Sequence, residues 1–318
     1  MKVSELFEYV IKRGMEKDPR GPEGVTRVLD DAQKEYDNLG KDKRWEFDRE
    51  RLWNPYDDSC ILNNPDDPEV SKVFAGINID VGELVMVDRL NEKGEDIDLV
   101  IGHHPRGLGR PGLPEVMHIQ KDFYEQWGVP INIGEQLMAP RIEEVRRAIM
   151  PQNHQQERDA AKLLGIPFMC THSPTDIMVQ THVQALMDEK EPFTVSDVCG
   201  VLKDIPEYRT GVKLKNGPRI ITGSGKNRAG KVVVKMAGGT GGAETLYKAF
   251  ERAGVGTYIA MHLAEKHIDL AKKHHINVVV AGHMPSDSFG MNLMYGELEE
   301  AGELEVVRGS GLIGPEEE

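Results

Sequence analysis

Apolar positions along the chain follow two rhythms. Short runs that are apolar at nearly every residue alternate with longer stretches apolar at every third or fourth. The first kind fits strands covered on both faces, as in parallel or mixed sheets, and the second fits amphipathic helices. Residues 73–80 are then a strand, 82–91 a helix and 98–102 a second strand, a β-α-β unit of ordinary size. Helices are expected at 116–127, at 143–165 with a break at Pro151, and at 175–189, with a further strand starting at Ile166. A short helix over 192–206 and a Gly-punctuated hairpin over 212–231 come next. The alternation then resumes: strand 232–236, helix 244–253, strand 256–260, helix 264–274, strand 277–281, helix 286–300, strand 304–308. This order predicts an α/β (α+β) protein with mixed sheets flanked by helices. Ahead of it, 4–18 has helical periodicity with Ser4 as N-cap. The charged span 20–68 carries Trp45, Phe47, Leu52, Trp53 and Tyr56 with which to pack on the main body. Residues 106–114 read as a Gly/Pro-rich loop and 315–318 as a frayed end.

Three of the apolar runs end alike. Asp98-Leu-Val-Ile-Gly-His-His-Pro105, Ile166-Pro-Phe-Met-Cys-Thr-His-Ser-Pro174 and Asn277-Val-Val-Val-Ala-Gly-His-Met-Pro285 each reach histidine just before a proline. Proline has no N–H for a ladder, so pairing stops there. The imidazoles are left at the carboxyl ends of strands, where open α/β sheets gather ligands. Gly102-His103 and Gly282-His283 lie 180 residues apart. The shared ending predicts an internal duplication, with 73–190 and 191–318 as two β/α lobes and 1–72 as a helical extension.

Asp176 follows His172 by four residues and Asp287 follows His283 by four, each in the first turn of the next helix. A carboxylate there can face the same cavity as the histidine; the plain alternative is a helix cap. For His103 and His104 the alternative is a turn bonded to backbone carbonyls. Imidazoles at three strand ends with two carboxylates suit Zn, Mn, Fe or Co better than Ca or Mg. Arg106 and Arg110, just past the His-His pair, are candidates for the anionic part of a substrate. His262, Glu265 and His267 open a helix as an outer shell or as substrate contacts. Solvated surface is the alternative for all five.

Two glycine-rich stretches resemble phosphate loops. Residues 225–231 have Walker A spacing, but Val232 replaces Ser/Thr and a strand follows, so a turn is the better assignment. Gly238-Gly-Thr-Gly-Gly242 lies between a strand and a helix yet lacks the full dinucleotide fingerprint, which favours tight packing over nucleotide binding. No Gly-x-Ser-x-Gly elbow is present.

Composition narrows the partners. At 29% charged and 39% hydrophobic, the chain of 318 residues is ordinary for a globular protein. Its net charge of −14 argues against nucleic acid or an anionic membrane as the main partner. Three scattered cysteines, no signal-like start and no membrane-length apolar run lead to a cytoplasmic expectation.

In combination, the His-His-Pro segment, Thr171-His-Ser-Pro-Thr-Asp176 and Ala281-Gly-His-Met-Pro-Ser-Asp287 resemble the signatures of the Nif-three-like family. This is the NGG-one-interacting factor three group, often labelled GTP cyclohydrolase I type 2 or dinuclear metal-centre proteins. The likeness runs from about residue 73 to 295. It implies two intertwined α+β repeats, two divalent ions per chain and a homo-oligomer, commonly a hexameric ring. It further implies His104 and Asp176 on one ion, His103 and His283 on the other, and Asp287 bridging. Asp287 stands where the family usually has glutamate, and Ser173-Pro174 departs from its usual Thr-His-Thr-x-x-Asp. The expected function is a metal-dependent hydrolase acting on a small molecule such as a nucleotide or phosphoester, with His172 in an outer-shell or proton-transfer role. The alternative is a non-catalytic metal-binding regulator or scaffold.

Overall fold

A computed structural model describes residues 1–315; of the stretch 315–318 expected to fray, all but Pro315 lies outside the described residues. Among the described residues nine strands form two sheets. They are β1 (Cys60–Asn63), β2 (Lys72–Gly76), β3 (Leu99–Gly102), β4 (Phe168–Cys170), β5 (Arg219–Thr222), β6 (Lys231–Lys235), β7 (Val255–Ala260), β8 (Asn277–Val280) and β9 (Glu305–Gly309). One sheet has the order β1-β4-β3-β2-β9 and the other β5-β8-β7-β6. β1 is antiparallel to β4 and β5 to β8, while the remaining pairs are parallel.

The helices α1 (Val3–Lys17) and α2 (Gly21–Asn38) precede the sheets, and α3 (Val81–Asn91) connects β2 to β3. Between β3 and β4 lie α4 (Gly109–Val116), α5 (Ile119–Gln126), α6 (Ile131–Ile149) and α7 (Gln156–Leu164). α8 (Ser173–Lys190), α9 (Val195–Lys203) and α10 (Pro206–Lys213) lead to the second sheet. There α11 (Leu246–Arg252) and α12 (Glu265–Lys273) make the crossovers, and α13 (His283–Glu300) follows β8. No helix among the described residues is long and apolar enough to cross a membrane.

Strand order and polarity repeat between the sheets, so β1 to β4 correspond to β5 to β8. The equivalence differs from the one drawn on Gly-His-x-Pro. β8, ending before His283, takes the place of β4, ending before His172; the counterpart of β3 is β7, which ends before Met261-His262. The repeated unit is therefore a strand end, a histidine and an aspartate four residues on, not Gly-His-x-Pro. A four-residue apolar run carries no record of its place in a sheet, which is why the likeness of β3 and β8 misleads.

Other local expectations change for identifiable reasons. β1 lies within 1–72 and β9 within 191–318, yet both complete the first sheet, β9 by covering the open edge of β2. The hairpin over 212–231 does not form, because β5 pairs with β8 while Asn227 and Gly225 offer their carbonyls to the start of α9. Residues 109–116 are helical despite Pro111, which falls in the first turn, where N–H groups have no intrahelical acceptor. Ser4 lies inside α1 and donates to Asp67 rather than capping the helix. The cysteines are free and buried, and the β1–β4 register sets Cys60 opposite Cys170.

α8 and α13 stand together between the sheets. Residues 173–180 of the first and 285–291 of the second are buried on all sides, as expected for helices enclosed within a core. One apolar cluster runs through them, joining Val73, Leu99 and Met169 of the first sheet to Val233, Tyr258 and Val278 of the second. The helices come close at Gly290, where an added Cβ would lie 2.4 Å from the Thr175 carbonyl oxygen. Gly290→Ala should thus force the pair apart and lower stability by about 1–3 kcal/mol. Gly296→Ala on the same helix meets nothing within 4 Å and should raise stability by up to about 1 kcal/mol. Thermal denaturation of the two variants checks both signs.

Candidate metal centre

The site is assembled from strand ends and helix starts. β2, β3 and β4 finish in register, with Gly76, Gly102 and Cys170 side by side. The ladder continues past β3, since the amide of His103 donates to Gly76 and that of His104 to Ile77. Both histidines are thereby pinned to the carboxyl edge of the sheet. Opposite them, His172 is the N-cap of α8 and Asp176 lies in its first turn. His283 opens α13, and Asp287 comes one turn later.

The donors face one another at nearly uniform spacing. Nε2 of His103 lies 3.5 Å from Asp176 Oδ1 and 3.5 Å from Asp287 Oδ1. The other oxygen of Asp287 lies 3.4 Å from His104 Nε2 and 3.5 Å from His283 Nε2. His172 Nε2 is 3.6 Å from Asp176 Oδ2. These separations are too long for good hydrogen bonds. His103 Nε2, Asp176 Oδ1 and both oxygens of Asp287 are buried without a hydrogen-bond partner. Donors about 2.0–2.2 Å from a tetrahedral ion stand about 3.4 Å apart, so the spacing fits a divalent cation.

Two donor sets share Asp287: His103 with Asp176, and His104 with His283. This grouping differs from the pairing implied by the resemblance, which put His104 with Asp176 and His103 with His283. The cause is how each ring is held. His103 is tied to Thr175 of α8, beside Asp176, whereas His104 is tied to Asn78 and its ring lies 5.2 Å from that of His283. A third grouping, His103 with His104 and His172, puts His172 within ligand reach as well.

Bonds behind the rings fix which nitrogen faces inward. The Thr175 hydroxyl donates to the backbone carbonyls of Thr171 or His172, so it accepts from Nδ1–H of His103 at 3.0 Å. Asn78 Oδ1 accepts from Nδ1–H of His104 at 2.8 Å, and Asp58 Oδ2 from Nδ1–H of His172 at 2.6 Å. Each ring therefore turns Nε2 toward the centre, the arrangement usual for metal-ligating histidine. Asp58 also accepts from the Ser173 hydroxyl at 2.8 Å and is fully buried. Asp58, Asn78 and Thr175 were not visible as site residues in the sequence, where nothing separates them from other turn or capping residues.

Burial and charge set the protonation states. Burial pushes His103 and His283 down to about 4 despite the opposing pull of Asp287, so both are neutral at pH 7. Burial would also depress His172, but Asp176 and Asp58 outweigh it and lift this imidazole to about 9. Burial raises Asp176 to about 8, against the pull of His172. Burial acts to raise Asp287 too, yet the surrounding histidines, His103 foremost, hold it below the usual carboxylate range. Without a cation, the Asp176–His172 side retains protons at neutral pH while Asp287 is ionised.

Beside the centre opens a cleft of about 270 Å³ lined by His172, Asp176, His283, His262, His267 and Lys235, among others. The His262 ring is 4.7 Å from that of His283. Glu265 stands exposed at the start of α12, outside this lining. Arg106 is occupied elsewhere, bonded to Asp80 at 2.7 Å and to the Ile79 carbonyl, and Arg110 is bonded to Gln152. The 238–242 loop packs tightly: a Cβ at Gly242 would lie 2.3 Å from the Tyr124 hydroxyl. It nonetheless lines the cleft. Lys235 and Arg141, also in the lining, escaped the sequence reading, although Lys235 sits at a strand's carboxyl end like the histidines.

Among solved structures, a NIF3 superfamily protein from Sphaerobacter thermophilus is similar at a TM-score of 0.72 and 25% identity, over 90% of this chain and 98% of that one. Reduced HcgD from Methanocaldococcus jannaschii matches at a TM-score of 0.52 and 13% identity, over 88% and 96%, a likeness of fold alone. No curated protein matches the chain. The model of the Duf34/NIF3 (NGG1p interacting factor 3) family matches residues 116–310, well over half of the chain. Carrying that match on this fold, with histidine and aspartate clusters able to hold metal, the chain belongs to the Duf34/NIF3 family.

Proposed function

We propose that the chain binds two divalent ions of the Zn, Mn, Fe or Co class in a dinuclear centre and hydrolyses a small molecule such as a nucleotide or phosphoester. One observation carries the proposal: Asp287, 1% exposed, points both unpartnered oxygens at the Nε2 atoms of three histidines. Acceptor faces acceptor, and burying a carboxylate this way costs several kcal/mol unless positive charge lies between. His103 and Asp176, with His104 and His283, would hold such cations beside Asp287, and their charge would remove that cost. When bound, such ions polarise a substrate oxygen and lower the pKa of coordinated water.

The chain's own groups divide the remaining work. Thr175 and Asn78 lock His103 and His104, so neither ring needs to reorganise to present its lone pair. His172 is oriented by Asp58 and lines the cleft, and once its proton has left on cation binding it is suited to accept one from the reacting atoms. In this reading the protein acts in the cytoplasm as a homo-oligomer, with the hexameric ring of the resemblance as the form to test by sedimentation.

Elemental analysis should find two ions per chain in the wild type. His103→Ala and His283→Ala should lose metal, and Asp287→Asn at least one ion, with circular dichroism unchanged, whereas Cys170→Ser should retain both. Full occupancy in Asp287→Asn would sink the shared-carboxylate centre. Because Asp176 and His172 are raised to about 8 and about 9, cation binding at pH 7 should release protons. Metal affinity should then climb with pH and level off above about 9. Calorimetry in two buffers of different ionisation enthalpy measures the release, and no buffer dependence would contradict it. The metal-loaded protein should turn over at least one member of a panel of phosphoesters and GTP. If it turns over none, the non-catalytic regulator takes the enzyme's place.

A further inference from the structure

The cleft has a second wall that metal binding does not use. Lys235, the last residue of β6, is 7% exposed, and its ammonium donates to the Thr240 carbonyl. Among the described residues no carboxylate is in ion-pair contact with it. A buried ammonium with spare N–H donors, on which Asp176 acts only from a distance, is unusual, since lysine is almost never buried unpaired. Tight packing explains the glycines of the adjoining loop but not this cation.

The loop itself turns donors rather than acceptors to spare. Gln120 takes the carbonyls of Gly238 and Thr240, and Arg141 takes that of Gly241. The amides of Gly239, Gly241, Gly242 and Ala243 donate to no group among the described residues. Gly238 and Gly239 adopt φ of +98° and +76°, and successive amides in such turns form concave seats for anions. Arg141 adds charge, although Glu144 takes part of it at 2.8 Å. The lining thus sets the cations Lys235 and Arg141 against one carboxylate, Asp176, in a protein of net charge −14, while burial keeps His262 and His267 below the usual histidine range and neutral. Leu246, Tyr247 and Tyr258 also line the cleft and give it an apolar part.

We propose that Lys235 and the amides of Gly239, Gly241, Gly242 and Ala243 bind a phosphate group of the substrate, so that the cleft selects a phosphorylated small molecule and presents its reacting bond to the histidine–aspartate wall. An ammonium and several amides suit a tetrahedral dianion with three free oxygens better than a planar carboxylate. The assignment deepens the metal-centre reading and rests on it for the reaction, but the subsite can be tested without metal.

Inorganic phosphate titrated calorimetrically into full-length protein, stripped of metal and freed of chelator, is the probe. Wild-type protein should bind it saturably and more tightly than acetate. Lys235→Met should bind about tenfold or more weakly, as for loss of a charge-assisted contact, and Lys235→Arg should keep most of the affinity. Both variants should take up as much metal as the wild type. Lys235→Gln serves the same comparison if circular dichroism shows Lys235→Met unfolded. No saturable phosphate binding, acetate bound as tightly, or affinity unchanged in the charge-removing variant would each overturn the subsite. A wild type that binds phosphate as described but takes up no metal would leave the subsite standing and remove the dinuclear centre.

Discussion

Lone pairs meet lone pairs at the heart of this molecule, and the surrounding structure holds them there. Asp287 presents two bare oxygens to His103, His104 and His283, while Asp176 stands between His103 and a His172 that keeps its proton. Left to relax, such groups would turn away or take up solvent. They cannot, because Thr175, Asn78 and Asp58 grip the far side of three rings and both carboxylates lie on enclosed stretches of α8 and α13. Ionised and unpartnered, Asp287 is the group that a cation would satisfy.

The duplicated architecture explains how such a centre is built. Each sheet delivers an equivalent strand end, histidine and aspartate to the start of a central helix: His172 and Asp176 from one lobe, His283 and Asp287 from the other. Close passage of the helices at Gly290 and Thr175 brings the two carboxylates to one place. The lobes have then diverged. Where β3 ends in His103-His104, its counterpart β7 ends in Met261-His262, so the first lobe supplies most of the groups that could hold metal and the second supplies much of the cleft. The cleft's opposite wall, with Lys235 beside a loop of unpaired amides, complements this negative centre.

Much of this was legible in the chain alone. The α/β class and most elements of both lobes follow from apolar runs alternating with helical periodicity, because that alternation directly reflects which faces are covered. His103, His104, Asp176, His283 and Asp287 could be singled out because proline-stopped strand ends and first helical turns are local features with fixed geometry. Tertiary structure decided the rest. It determined which strands are equivalent, since a short apolar run does not encode its neighbours, and it brought β1 and β9 into the first sheet across more than a hundred residues of chain. It grouped His103 with Asp176 and His104 with His283, because ring orientation is set by Thr175 and Asn78 from other elements. It also brought Asp58 behind His172 from 114 residues away and left Lys235, among the described residues, with no carboxylate in contact. Hydrogen-bond partners and burial are properties of the assembled interior, and no local spacing contains them.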